Sequence, residues 1–187
     1  MDILTREGPA PAAGPIADLG AGNGWLAFRL AKADYHTLAV DASLDEEWGL
    51  GMAERYYLPS VPLRLAQGDL EYPPLQTGQL ALILFNASLH YAADLENTLR
   101  RSARALQPGG RIIILDTPVA RQPRPGTGQG DRHLGRRELH EALLAAGLSP
   151  RWVIVRRGAR WWLYQANSWL RQAPRFAFPL IIADPLP

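Results

Sequence analysis

Asp18-Leu19-Gly20-Ala21-Gly22-Asn23-Gly24-Trp25 joins a short apolar run, residues 15–19, to a stretch of helical pattern, residues 25–33. Three glycines at alternate positions let the chain turn tightly. They also let a ligand lie against main-chain N–H groups at the helix N-terminus. The dinucleotide fingerprint G-x-G-x-x-G requires a third glycine at position 25, where this chain has Trp25. The spacing here is G-x-G-x-G, with Asp18 two residues upstream. A glycine turn without a ligand is the alternative.

Outward from this turn, strand-like runs alternate with helix-like stretches. Strands are expected at residues 37–40, 63–66, 80–85, 111–116, 152–155 and 176–182, and residues 80–85 are apolar throughout, as in a strand buried on both faces. Helices are expected at 44–55, 136–146 with Gly147 after it, and 160–170. Another opens at an Asp94 N-cap, with apolar positions Leu95, Leu99, Ala103 and Leu106. Residues 8–15, Gly-Pro-Ala-Pro-Ala-Ala-Gly-Pro, cannot be helical. The alternation predicts parallel βαβ units in a single domain over 1–187, with an irregular leader at 1–14 and a substrate-side loop at 117–135. Open sheets of this kind bind ligands at the carboxyl ends of their strands, where strand order reverses.

Each of those ends carries a recognisable segment. The second strand ends in Asp41, whose two oxygens can accept both hydroxyls of a ribose. The third ends in Gln67-Gly68-Asp69-Leu70, where the aspartate is either a ligand contact or a plain turn residue. The fourth runs into Phe85-Asn86-Ala87-Ser88-Leu89-His90-Tyr91, and Leu106-Gln107-Pro108-Gly109-Gly110-Arg111 precedes the fifth.

These segments, in this order across residues 15–116, resemble the class I (Rossmann-like) S-adenosylmethionine-dependent methyltransferases of the type 11-like kind. The glycine turn resembles their motif I, and the Leu106–Arg111 segment their motif III. The resemblance implies a doubly wound, mostly parallel seven-stranded sheet with helices on both faces. Its last strand would be antiparallel, between the fifth and sixth. It implies S-adenosylmethionine as cofactor and S-adenosylhomocysteine as product. Gly20, Ala21, Gly22 and Asn23 would then hold the methionine moiety, with Asp18 near its ammonium. Asp41 would hold the ribose, with Ala42 also on the cofactor side. Asp69 and Leu70 would hold the adenine, and Asn86 would lie beside the sulfonium. Ser88 and Tyr91 are substrate-side candidates. His90 is the candidate base, since histidine titrates near neutrality and this one is expected at the mouth of the cleft. Packing or one structural hydrogen bond is the other reading of His90. Relatives usually carry a helix before the first strand and a longer lid, so the cleft is expected either to be open or to be completed by a partner or a second copy in a homodimer.

Composition bounds the alternatives. Hydrophobic residues make up 47% and charged residues 20% of the 187, the balance of a soluble globular chain. Absent cysteine excludes disulfides, thiolate metal sites and cysteine nucleophiles, and no histidine cluster has metal-ligand spacing. The only lysine, Lys32, is followed by Ala33, which excludes a P-loop, and no serine sits in a G-x-S-x-G elbow. No apolar run reaches membrane-span length and no secretory signal is visible, so a cytoplasmic location is expected. Residues 1–99 carry 5 basic and 13 acidic side chains, and residues 100–187 carry 15 and 5. That asymmetry is either solvated arginine faces or a surface for an anionic substrate or RNA. Likewise Trp161, Trp162, Tyr164 and Trp169 pack a helix or line an acceptor pocket. The favoured acceptor is a small molecule. An RNA or protein acceptor, a non-catalytic cofactor-binding module and a nicotinamide oxidoreductase stay open as rivals.

Overall fold

The apolar run at residues 80–85 becomes β4 (Leu80–Asn86), the strand about which the sheet is laid. In a computed structural model, which describes residues 8–56, 60–120, 133–153 and 179–186, β4 pairs in parallel with two neighbours. These are β1 (Ile16–Leu19) and β5 (Leu106–Leu115). Beyond β1 lie β2 (Thr37–Asp41) and β3 (Leu63–Gln67), both parallel to it. Val119–Ala120 (β6) and Leu134–Gly135 (β7) form a separate two-stranded ladder. The main sheet is completed by β8 (Leu148–Val153) and β9 (Leu180–Pro185), giving the order β3-β2-β1-β4-β5-β9-β8. Only β9 runs antiparallel to the rest, inserted between β5 and β8 as the resemblance implies.

Burial explains why β4 has no polar face. Ile83 and Phe85 join the cluster of Leu99, Leu139 and Leu143, while Leu82 and Leu84 join Ile16, Leu30 and Ile113 on the opposite side. Leu30 comes from α1 (Trp25–Ala31). The short α2 (Leu50–Ala53) packs beside it, Leu50 and Ala53 sharing a cluster with Ala27 and Ala31. Leu99 comes from α3 (Leu95–Ala105), and Leu139 and Leu143 from α4 (Arg136–Ala145). The Asp94 carboxylate accepts the Asn97 N–H at 3.0 Å, so the expected N-cap forms. Beyond α4, Gly147 takes φ +77° and turns the chain straight into β8.

Several expected boundaries move, each for a local reason. The helix expected over 44–55 shrinks to α2 and a single 3-10 turn, Glu54–Tyr56. Ahead of it, the Asp45 carboxylate accepts the N–H groups of Glu47 and Trp48 at 2.8 and 2.9 Å, and Ser43 Oγ accepts the Asp45 N–H. Side chains thus occupy donors that a helix would need, and Gly49 and Gly51 add poor helix propensity. The Asp45 carboxyl is held below its ordinary pKa by those N–H groups, Trp48 first. The fifth strand starts at Leu106, not at 111, because Leu106 pairs with Leu80 across a bulge that absorbs the Pro108-Gly109-Gly110 turn. Leu106 therefore belongs to the sheet, not to the helix stripe. The sixth strand begins at Leu148, four residues early. It is an edge strand, which tolerates Pro150 without an N–H. Its antiparallel register, from Leu148 opposite Pro185 to Val153 opposite Leu180, carries the last strand to residue 185 instead of 182. The leader forms one 3-10 turn, Pro11–Ala13, tied down where Gln107 Nε2 donates to Ala13 O at 2.8 Å. The expected helix at 160–170, with its tryptophans, lies outside the described residues.

Candidate cofactor-binding site

From β1 the chain steps outward to β2 and β3, then returns to β4 on the other flank of β1. Strand order therefore reverses between β1 and β4, and a cleft of about 480 Å³ opens at their carboxyl ends. Its size falls in the range of about 300–1,000 Å³ typical of small-molecule sites. A larger cavity, about 650 Å³, lies between α2 and β3 but away from that reversal.

The glycine turn forms the floor. Gly20 and Ala21 both donate their N–H to Val40 O, at 2.8 and 3.0 Å, which folds the turn over the end of β2. Gly20 has φ +70°, and a Cβ there would lie 2.4 Å from Ser88 Cβ. No other residue type meets both demands. Gly24, with φ +72°, lets α1 approach Ala53. Asn23 Oδ1 accepts the Trp25 N–H at 3.2 Å, so this side chain supports the helix start.

Acidic side chains surround that floor. Asp41 Oδ2 accepts the Gly22 N–H at 2.7 Å, and its Oδ1 accepts the Ser43 N–H at 2.9 Å. One carboxylate therefore joins the glycine turn to the loop after β2, and each oxygen keeps a further lone pair. Asp18 is 1% exposed, and its Oδ1 has no hydrogen-bond partner among the described residues. Burial first, then the Asp41 charge, pushes its carboxyl up to about 7, opposed by the Ala27 N–H. Asp69 lines the cleft while its Oδ1 accepts the Tyr72 N–H at 2.6 Å, so it is a turn residue and a wall residue at once. Leu70 and Ala42 also line the cleft.

The segment after β4 closes the opposite side. Ala87 has φ +54° and donates its N–H to Leu115 O at 2.9 Å; it and Ser88 face the cleft. Ser88 is nonetheless buried, and its hydroxyl donates to Leu19 O at 2.6 Å. That hydroxyl ties the two strand ends together. Ser88→Ala is expected to cost about 1 kcal/mol in denaturant unfolding, the net worth of one buried hydrogen bond. Tyr91 is exposed on the cleft wall. His90 departs from its expected place at the mouth: it is 6% exposed and lies off the wall, its ring 4.1 Å from that of Tyr91. The 3-10 turn Leu89–Tyr91 turns it inward. Asp18 is buried, and the half-buried Ala21, Asn23 and Asn86 are not among the residues lining the cleft.

Four lining residues escape the sequence reading: Trp48, Gly68, Glu71 and Ala87. Trp48 is a large exposed aromatic beside an acid-rich turn, a signal that was available. The positive φ of Ala87 has none, since alanine rarely adopts it. Among the described residues no helix is long and apolar enough to cross a membrane, and no group of acids and histidines could hold a metal ion.

A glycine-floored, acid-walled cleft at the reversal point of this sheet, with the antiparallel strand next to the edge, defines the class I methyltransferase architecture. Comparison with known proteins agrees. The sequence profile of the methyltransferase domain family Methyltransf_11 matches residues 17–114. The chain belongs to that family of S-adenosylmethionine-dependent methyltransferases. It is 28% identical over 124 residues to 27-O-demethylrifamycin SV methyltransferase of Amycolatopsis mediterranei, covering 65% of this chain and 45% of that one. It is also 28% identical over 162 residues to malonyl-[acyl-carrier protein] O-methyltransferase of Geobacter sulfurreducens, covering 79% and 59%. The chain thus spans about half the length of the curated relatives it matches. The fold is shared with the YcgJ protein of Bacillus subtilis, at TM-score 0.70, 18% identity and coverage of 100% and 97%. It is shared too with geranyl diphosphate C-methyltransferase of Streptomyces coelicolor, solved with S-adenosylhomocysteine, at TM-score 0.74, 20% identity and coverage of 99% and 76%.

Proposed function

We propose that the cleft holds S-adenosylmethionine and that the chain transfers its methyl group to a small-molecule acceptor. The observation that carries this reading is the charge of the wall. Asp41, Asp69 and Glu71 line the cleft and, among the described residues, no arginine or lysine does, while Asp18 waits beneath with an oxygen that has no hydrogen-bond partner among them. A pyrophosphate-bearing dinucleotide would meet repulsion there, whereas a ligand with an ammonium, a sulfonium and ribose hydroxyls finds acceptors. Relatives named for a demethylrifamycin and for malonyl-[acyl-carrier protein] support a small or carrier-borne acceptor.

In this reading Asp18 holds the ammonium, Asp41 the ribose hydroxyls, and Asp69 with Leu70 the adenine. Gly20 and Gly22 leave room for the methionine chain, and Asn86 stands behind the sulfonium. When bound, the cofactor supplies a methyl group activated by sulfonium charge. The chain's part is to bring an acceptor into line, and Tyr91, with Ser88 and Ala87 beside it, forms the wall an acceptor would meet. His90 supports Tyr91 by ring contact. His90→Asn is therefore expected to lower unfolding stability by about 1–2 kcal/mol. The pH profile of methyl transfer should keep its shape; loss of an ionisation from that profile would restore His90 as the base.

The test is calorimetric titration of the chain with S-adenosylhomocysteine and with NAD, followed by labelled methyl transfer to a panel of small hydroxy and carboxy acids. Binding of the first with NAD at least about 100-fold weaker is expected, a gap of nearly 3 kcal/mol. The reverse preference overturns the reading.

A further inference from the structure

We propose that Glu71 is a positioning residue that pins the adenine-side loop to the start of α3 and thereby sets base selectivity in the cleft. The inference rests on the cofactor reading above. Loop 68–72 is anchored at one end where the Gly68 N–H donates to Asp41 O at 3.0 Å. The Asp69–Tyr72 hydrogen bond shapes the loop from within but does not place it relative to anything else. Glu71 does. Its Oε1 accepts the Ala93 N–H at 2.5 Å and the Asp94 N–H at 3.2 Å, main-chain donors just ahead of α3. Asn97 Nδ2 donates to Glu71 O at 3.3 Å, and the Arg101 guanidinium lies 4.4 Å over the Tyr72 ring. The helix supplying these contacts is itself held in the core by Leu95 and Leu99.

Two anchors therefore bracket Asp69 and Leu70: the end of β2 through Gly68, and α3 through Glu71. A carboxylate accepting two N–H groups makes charge-assisted bonds, stronger than neutral ones. Asp69 has one oxygen committed to Tyr72, leaving the other to accept an exocyclic amine. That single acceptor discriminates only if the loop holds it still, because a contact displaced by a fraction of an ångström stops rejecting the wrong base.

The probes are S-adenosylhomocysteine and S-inosylhomocysteine, which carries a carbonyl where adenine carries its amine. Both are titrated by calorimetry into the full chain, Glu71→Gln and Glu71→Ala. The unsubstituted chain should prefer the adenosyl ligand by about tenfold or more, the worth of one hydrogen bond to a charged group. Glu71→Ala should lose most of that preference, chiefly through weaker adenosyl binding. Glu71→Gln, whose amide oxygen still accepts both N–H groups, should keep it. Because the readout is a ratio within one variant, partial unfolding scales both ligands alike and does not imitate the effect. An unchanged ratio in Glu71→Ala overturns the inference and leaves the cofactor reading intact. An unsubstituted chain that binds neither ligand, or does not distinguish them, overturns the adenine placement and the inference with it.

Discussion

Asp18→Asn is expected to stabilise the apo protein above pH 7 by up to about 4 kcal/mol and to leave its stability near pH 4 unchanged. The Asp18 carboxyl is buried beneath the glycine turn and raised from an ordinary 3.8 to about 7, by desolvation first and the Asp41 charge second. Between those values the folded chain holds a proton that the unfolded chain has released. Stability from this group is thus fully present below about pH 4, falls as pH rises towards 7, and levels off once Asp18 ionises in both states. Asparagine cannot ionise, so the variant lacks that decline. Denaturant unfolding at pH 4, 6 and 8 reads the difference directly, and a gap that does not grow with pH sinks the argument. Ligand binding should move the opposite way. If Asp18 receives the ammonium, ionisation precedes the contact, and affinity for S-adenosylhomocysteine rises by about tenfold per pH unit below 7. The same titration at pH 6, run in buffers of different ionisation enthalpy, should show release of nearly one proton, absent in Asp18→Asn. A group that costs stability in the empty fold is then recovered in the complex, as expected where function sets the residue.

Asp41→Ala should lower affinity for S-adenosylhomocysteine by about 100-fold or more. If Asp41 receives the ribose, two hydrogen bonds from its hydroxyls to a charged acceptor are lost, each worth about 1.5–3 kcal/mol. The same carboxylate holds Gly22 at 2.7 Å and Ser43 at 2.9 Å, so its removal also frees the glycine turn from the loop after β2. Asp41→Asn, keeping one acceptor oxygen, should fall between. Because the Asp41 charge is the second cause of the raised Asp18 pKa, Asp41→Ala should also shift the pH dependence of stability towards lower pH. Calorimetry reads the first effect and pH-resolved unfolding the second. Unaltered affinity in Asp41→Ala would move the ribose elsewhere.

Much of the fold was legible because its signals are local. An apolar run of strand length with no polar alternation, such as residues 80–85, has to be covered on both faces. A G-x-G-x-G turn after such a run opens a helix. Asp94 before Leu95 caps one, and Gly147 ends another. The acids at 18, 41 and 69 are legible for the same reason, since each lies at or within two residues of a strand end. Strand boundaries were less so. Leu106 reads as a helix-stripe residue until its pairing with Leu80 draws it into the sheet, and the helix expected over 44–55 gives way to side chains that capture its backbone donors.

The sequence by itself determined the order of the main-sheet strands, the glycine turn and the acids at the ends of β1, β2 and β3, because composition and spacing within each segment are enough to specify them. Only the tertiary structure decided what those residues face. It turned His90 into the core and left Tyr91 on the wall, although the two are adjacent in the chain. It spent the Ser88 hydroxyl on Leu19, 69 residues away, and gave Ala87 a left-handed backbone. It brought Glu71 to the two N–H groups ahead of α3. Each of these depends on contacts between distant segments, and the direction a side chain takes at such a contact is set by the partner, not by its own neighbours in sequence.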